Sequence, residues 1–418
     1  MTPYKIRCWN PDRGHHSPKH PSHGRVLLGF LLVALLALAM PAPSLATPFI
    51  PKDDNTVLEH LPLQANDPAG KELRDLRRAL AIEPGNLALA EKVAQRDIEQ
   101  TRRDADPRYL GYAEAALAQW WKLPQPPASV LVLRAIVRQA NHEFSAALLD
   151  LNAALAVEPR NAQALLTRAS IQQAMGDYAA ARKTCFALAP LVSEFIGYAC
   201  LTSVMSVNGE SARSYALLQR VVNPQVVLDS TQRQWIEGLL AEMAARQGAL
   251  TAADQHYRNA LAGNHVDSYL LASYADFLLD AGRPADVVRL LRDRTRADPL
   301  LLRLALAERT LRLSTLAEHV TALGARFDAS RLRGDVVHRR EQARFELELR
   351  HNPGAAVQLA RDNWAVQREP ADARVLLEAA LAAGEPAAAA PVLHWLAESR
   401  LQDAHITALV KKLQDATS

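Results

Sequence analysis

Aromatic residues are scarce in this sequence, at 6% of 418 residues, and runs in which Val, Ile or Thr alternates with polar residues are hard to find. Such alternation between turns is the pattern of a half-buried strand, so we do not expect an extended sheet. Leu and Ala dominate the hydrophobic residues, which make up 49% of the chain. This composition predicts an all-α fold with enough apolar surface for a continuous core.

The sequence also lacks the short motifs of common enzyme sites. It contains no HExxH for zinc, no GxxxxGK[ST] for phosphate and no GxSxG for an activated serine. The histidines after residue 46 stand singly, without the spacing of metal ligands. We therefore expect a protein that is not an enzyme and that uses no cofactor or metal.

After the first 46 residues, the chain has almost no net charge. The whole chain carries a formal charge of +3. Five basic residues and one acidic residue, Asp12, precede residue 47, which leaves −1 for the remainder. A nucleic-acid partner requires a basic surface, so none is expected.

The first 46 residues have the pattern of a secretory signal peptide. A basic segment precedes an uncharged run at 26–40, and the small residues Ser44 and Ala46 follow at the −3 and −1 positions of a cleavage site. The uncharged run is shorter than the roughly 20 residues that cross a bilayer. We expect cleavage after Ala46 and a protein exported to the periplasm or secreted; the alternative is an inner-membrane anchor that retains residues 1–46.

A pattern of apolar and small residues recurs every 34 residues. With Ala128 as position 1, large apolar residues occupy positions 4 and 17, and alanine occupies positions 8 and 20. The first two copies show these positions as Leu131, Ala135, Phe144 and Ala147, then Leu165, Ala169, Tyr178 and Ala181. Position 15, in the turn between the two helices, is His142 in the first copy and Gly176 in the second. Proline, which cannot continue a helix, closes several units, as Pro159 does.

This period and pattern resemble the tetratricopeptide repeat, a helix-turn-helix unit of 34 residues. The resemblance covers about 68–400 and is clearest over 128–299; we count eight or nine repeats. It implies an all-α, right-handed superhelical solenoid, preceded by an extended lead-in at 47–67 and closed by a capping helix at 401–418. In the less regular part we expect helices at 300–313, 315–327, 336–350 and 355–366.

Several positions depart from the repeat pattern. Position 11, an aromatic residue in the family, is Arg138 in the first copy and Gln172 in the second. Position 4 is Glu237 in a later copy. Asp150 lies off the apolar stripe of its helix, so we expect it on a solvated face.

The resemblance further implies that the first helix of each repeat lines a concave groove that binds a partner. The groove positions of this chain carry Gln139, Gln173, Trp235, Glu242, Arg246, Tyr269 and Asp276. Two large amphipathic rings among polar groups suit a peptide. The alternative for Trp235 and Tyr269 is that they pack between repeats.

Two cysteines follow the signal segment, Cys185 and Cys200. They fall in the second helix of one repeat and the first helix of the next, so they are either a disulfide or two separate buried thiols. An exported protein meets an oxidising compartment, where a disulfide persists.

Together these observations predict a non-catalytic scaffold or adaptor of the bacterial cell envelope that binds a protein or peptide in its groove. Two alternatives remain open: an accessory factor associated with polysaccharide or the cell wall, and a membrane-anchored assembly scaffold. The sequence does not name the partner.

Overall fold

The computed structural model describes residues 53, 67–222, 226–263 and 267–417. Within these residues it contains 21 α-helices, numbered α1 to α21 in chain order, two 3-10 helices and no strand. All helices belong to one compact unit, Asp67–Ser418. The all-α solenoid expected from the repeat is confirmed. The expected signal peptide and nearly all of the lead-in lie outside the described residues.

Nine helical hairpins follow one another between residues 87 and 399. Their first helices are α2 (Leu87–Asp104), α5 (Ala128–Ala140), α7 (Ala162–Ala174), α9 (Glu194–Ser206), α11 (Ser230–Arg246), α13 (Ser268–Asp280), α15 (Asp298–Leu311), α17 (Arg339–Glu348) and α19 (Pro370–Ala383). Their second helices are α3 with α4 (Arg108–Ala116, Ala118–Trp121), α6 (Phe144–Val157), α8 (Tyr178–Leu188), α10 (Ser211–Val221), α12 (Leu250–Leu261), α14 (Pro284–Leu291), α16 (Leu316–Arg333), α18 (Pro353–Trp364) and α20 (Ala390–Ser399). Helix α1 (Pro68–Ile82) precedes them, α21 (Ala404–Thr417) follows them, and the 3-10 helices are Ala189–Leu191 and Pro386–Ala389.

The repeating alanines explain why the two helices of a hairpin pack closely. Ala135 and Ala147 are completely buried in the second hairpin, and Ala169 and Ala181 are buried at the same positions of the third. A methyl group at these positions lets two backbones approach, while Leu131 and Leu165 fill the space beside them. Neither helix could bury its apolar side alone, so the hairpins are stable only as a stack.

Local signals start and stop the helices. The side chain of Asn161 accepts a hydrogen bond from the Ala164 amide at 2.9 Å, and that of Asp177 accepts one from the Ala180 amide at 3.0 Å. These N-caps satisfy amides that have no partner within the helix. Between the two helices, Gly176 has φ +80° and His142 has φ +59°, so both copies place the left-handed conformation at position 15.

The expectation that Asp150 faces solvent is wrong. Its side chain is almost completely buried, and it accepts hydrogen bonds from Arg134 at 2.6 and 2.9 Å and from Arg138 at 2.6 Å. A buried carboxylate is tolerated when it is paired in this way. Arg138 thus occupies the place of the expected aromatic residue because Asp150, on the facing helix, supplies its partner.

The superhelix turns tightly enough for its second coil to touch its first. Ser268 Oγ of the sixth hairpin donates to the carbonyl of Arg102 in the first at 2.7 Å. The amide of Arg368, at the start of the ninth hairpin, donates to the carbonyl of Ala174 in the third at 2.8 Å. Hairpins five or six positions apart therefore contact each other. Helix α21 continues the stack beyond α19, with Ile406, Leu409 and Leu413 buried.

Candidate functional site

Several predicted groove residues of the first helices make hydrogen bonds to the first helix of the neighbouring hairpin. Gln139 Nε2 donates to Ser170 Oγ at 3.2 Å, and Ser203 Oγ donates to Gln173 Oε1 at 3.1 Å. Arg246 Nη2 then donates to Ser206 Oγ at 3.0 Å. These contacts connect α5 with α7, α7 with α9, and α9 with α11.

A similar contact connects α11 with α13 through Glu242. Its carboxylate accepts hydrogen bonds from the Tyr269 hydroxyl at 2.8 Å and from Ser273 Oγ at 3.3 Å. We call these paired side chains of successive first helices the polar row; its members are Gln139, Ser170, Gln173, Ser203, Ser206, Arg246, Glu242 and Tyr269. Five of the seven predicted groove residues belong to the polar row, whereas Asp276 and Trp235 do not.

The hydroxyl of Tyr269 is a donor at any ordinary pH. The negative charge of Glu242, followed by burial of the hydroxyl, raises the pKa of Tyr269 well above its usual value. Burial also raises the pKa of Glu242, although Arg246 opposes this shift. Tyr269 nevertheless exposes 64% of its surface, so its polar end is bound while much of the residue remains open to a partner.

Asp276 is paired with arginines of two other hairpins. It accepts hydrogen bonds from Arg303 of α15 at 2.7 and 3.0 Å and from Arg344 of α17 at 2.5 Å. Burial alone would raise the pKa of Asp276, but the two guanidinium groups hold it well below its usual range. The carboxylate is therefore ionised and bound to arginine groups of the same chain.

A second carboxylate of α13 is paired over a longer sequence distance. Asp280 accepts two hydrogen bonds from Arg374 of α19, at 2.6 and 2.7 Å. Arg374 also donates to Glu378 at 2.8 Å. Such contacts between first helices two and three hairpins apart are consistent with first helices that face the inside of the curve.

Of the two large rings predicted in the groove, the structure leaves only Tyr269 exposed. Trp235 is half-buried and packs against an apolar cluster of α9, α10 and α11 that includes Phe195 and Leu218. This is the packing role considered as the alternative for Trp235. Truncating its side chain would therefore disturb the stack as well as the concave face.

The repeat pattern does not predict Arg344 and Arg374 as concave residues, because the 34-residue phase becomes irregular after residue 300. Arg303 was missed for the same reason. Without a dependable phase, an arginine cannot be assigned to the concave side of its helix. The only usable signal was the regular spacing of acids on α13, which require partners if they are buried.

Cys185 of α8 and Cys200 of α9 are joined in a disulfide, with a Cα–Cα distance of 5.6 Å. Both side chains are buried in the large apolar cluster. The bridge links the second helix of the third hairpin to the first helix of the fourth.

The described part of the chain lacks two other kinds of site. Among those residues, no group of three or more His, Cys, Asp or Glu side chains could hold a metal ion. No helix in the described ranges is both long and apolar enough to cross a membrane.

Comparisons with known proteins give structural similarities alone. No family model and no curated protein matches the chain. A chain of the APC/C hetero-tetramer Cut9–Hcn1 is 15% identical to this chain, with a TM-score of 0.36. The similarity covers 74% of this chain and 52%, about half, of the Cut9–Hcn1 chain. The P58(IPK) TPR domain is 14% identical over 69% and 98% of the two chains, with a TM-score of 0.23. Naa15/Naa10 bound to HypK-THB is 13% identical over 83% and 56%, with a TM-score of 0.30. With TM-scores this low, no conclusion about function or individual residues follows.

Proposed function

We propose that this chain is a non-catalytic scaffold that binds a protein or peptide partner on the concave face of hairpins two to six. The observation that carries the proposal is the polar row, which ends at a tyrosine exposed over 64% of its surface. An exposed ring with a bound hydroxyl offers a large contact area at low entropic cost, since its rotamer is already held.

The chemistry of the polar row suits an extended peptide. Glutamine and serine side chains can each donate and accept hydrogen bonds. They can therefore give up the bonds between them and bind a peptide backbone instead. Gln139, Ser170, Gln173 and Ser203 alternate along three adjacent helices. A sugar polymer would need several aromatic platforms, whereas Trp235 is engaged in packing, so the peptide is favoured.

We further propose that the protein acts after export to the bacterial cell envelope. The pattern of residues 1–46 supports this location, and so does the disulfide Cys185–Cys200, since disulfides persist in oxidising compartments. The mass of the exported protein shows whether residues 1–46 are retained as a membrane anchor. An N-terminus at Thr47 would exclude that anchor.

The test of binding is affinity capture from an envelope extract with residues 47–418, which contain the whole compact unit Asp67–Ser418. Tyr269→Ala and Gln173→Ala should each lose a protein that the unaltered chain retains. The matched control is Phe186→Ala, because Phe186 is 57% exposed on α8, a second helix outside the concave face.

The captured protein is then purified and its Kd measured by calorimetry with each variant. We expect at least about tenfold weaker binding for Tyr269→Ala, which is the typical loss at a central aromatic contact. Unchanged Kd values for both concave variants, with their melting temperatures preserved, would show that the partner binds elsewhere.

A further inference from the structure

We infer that hairpins eight and nine form an internal latch that closes the concave face beside Tyr269, so that the free protein limits its own access to a partner. The latch contacts are Arg344–Asp276 and Arg374–Asp280. This inference rests on the proposed function, because it concerns regulation of the same surface.

One face of α13 carries both the exposed tyrosine and the latch carboxylates. Tyr269, Asp276 and Asp280 are separated by seven and four residues, a spacing that places side chains on one side of a helix. Tyr269 bonds to α11, in the preceding hairpin. Asp276 and Asp280 instead bond to α17 and α19, which lie two and three hairpins further along the chain.

The start of α19 lies close to the polar row as well. The negative charge of Glu369, next to that helix, contributes to raising the pKa values of both Glu242 and Tyr269. The neighbouring Arg368 amide is bound to the Ala174 carbonyl at the end of α7. A peptide that extended along the row from Gln173 past Tyr269 would therefore meet the ninth hairpin.

The Arg374–Asp280 contact of the latch has specific geometry but remains accessible to water. Arg374 binds Asp280 through two parallel hydrogen bonds, the most specific form of this pair. The side chains of Asp280 and Arg374 keep 34% and 22% of their surface exposed, so both can be hydrated again when the pair separates. Rehydration lowers the cost of separating this second pair, whereas Arg344, with 12% of its side chain exposed, is more deeply buried.

Release is limited by an apolar contact in the same region. The ring of Tyr178 in α8 lies 6.5 Å from that of Trp395 in α20, and both are buried. The closed form is therefore the major one. A partner that binds only the open form then binds more weakly in proportion to the fraction of open molecules.

Hydrogen exchange tests the latch without any partner. In Asp276→Asn with Asp280→Asn, the amide of Arg368 should exchange at least about tenfold faster than in the unaltered chain, because it loses Ala174 as acceptor more often. Asp328→Asn is the control, since it removes the carboxylate of an exposed pair with Arg331 on the same helix, α16. Unchanged exchange at Arg368 in a folded double variant would overturn the latch, whatever is found for binding.

A cross-link tests whether the latch controls binding. Asp280→Cys with Arg374→Cys, in residues 47–418, removes one latch contact and allows a short bis-maleimide to restore it covalently. With the captured partner, the linked form should bind at least about tenfold more weakly than the unlinked form. Equal affinities would refute control of access. If no partner is captured at all, the proposed function fails while the exchange experiment still decides the latch.

Discussion

Glu237 Oε2 lies 2.6 Å from Nδ1 of His256, and Nε2 of the same ring lies 2.9 Å from the Tyr215 hydroxyl. Position 4 of the repeat is apolar in other copies, as at Leu131 and Leu165, so Glu237 stands out in the sequence. The structure shows that this departure is matched by a polar residue on the facing helix of the hairpin. The same compensation pairs Arg138 with Asp150, and Gln172 with Thr184 at 2.8 Å.

Restoring the repeat pattern at Glu237 should therefore destabilise the protein. Glu237→Leu leaves a mostly buried His256 without its carboxylate, and an unsatisfied buried polar group costs about 1–3 kcal/mol. Thermal or urea unfolding measures the loss. Glu237→Leu with His256→Leu should recover part of it, because both polar partners are then replaced. Strict additivity of the two single changes would show that the pair is not coupled.

The contact between coils should make one turn glycine harder to replace than another. Gly209 and Gly282 have φ of +80° and +68°, so an alanine at either position is strained by roughly 1–2 kcal/mol. A Cβ at Gly209 would lie 3.2 Å from the Cβ of Arg400, whereas none of the described atoms lies within 4 Å at Gly282.

We therefore expect Gly209→Ala to lower the free energy of unfolding by about 1 kcal/mol more than Gly282→Ala. Denaturant titration of the two variants provides the comparison, with Gly282→Ala as the matched control for backbone strain. Equal losses would indicate that the second coil yields at Arg400 without cost.

His142 should make the protein sensitive to mild acid. Burial, followed by the nearby charge of Arg340, lowers the pKa of His142 to about 4; Glu341 opposes this and His338 adds to it. The unfolded chain binds a proton near pH 6.5 and the folded chain only near pH 4, so stability is lost as the pH falls through this interval.

His142→Asn removes this titration and keeps a residue that tolerates φ +59°. Its stability relative to the unaltered chain should rise by about 2–3 kcal/mol between pH 7.5 and pH 4. Melting curves across this range measure the difference. A constant offset between the two proteins would mean that His142 has the same pKa in both states.

Reduction of the disulfide should loosen the junction of the third and fourth hairpins. Cys185 and Cys200 are 15 residues apart, and closing a loop of that length stabilises by about 3 kcal/mol in the chain-entropy model. We expect a lower melting temperature with reductant. Cys185→Ala with Cys200→Ala should match the reduced protein and be insensitive to reductant, and a reductant effect on this variant would point to another cause.

Local features could be predicted with good accuracy because their signals are local. The alanines at positions 8 and 20, the turn glycines and the stop at Pro159 all act within one hairpin. Boundaries were less certain where such signals are weak: the helix expected at 315–327 spans Leu316–Arg333, because it ends only where Gly334 adopts φ +76°. The solvated role expected for Asp150 failed since its arginine partners lie on the facing helix.

The sequence by itself determined that this chain is a stack of eight or nine helical hairpins, and it identified the small and large apolar residues that pack inside the most regular of them. It also placed most of the polar row on one side of the first helices. Only the tertiary structure decided that Arg344 and Arg374 reach Asp276 and Asp280, 68 and 94 residues away. The reason is geometric: the course of a solenoid is the sum of small rotations between neighbouring hairpins, and no single repeat encodes that sum.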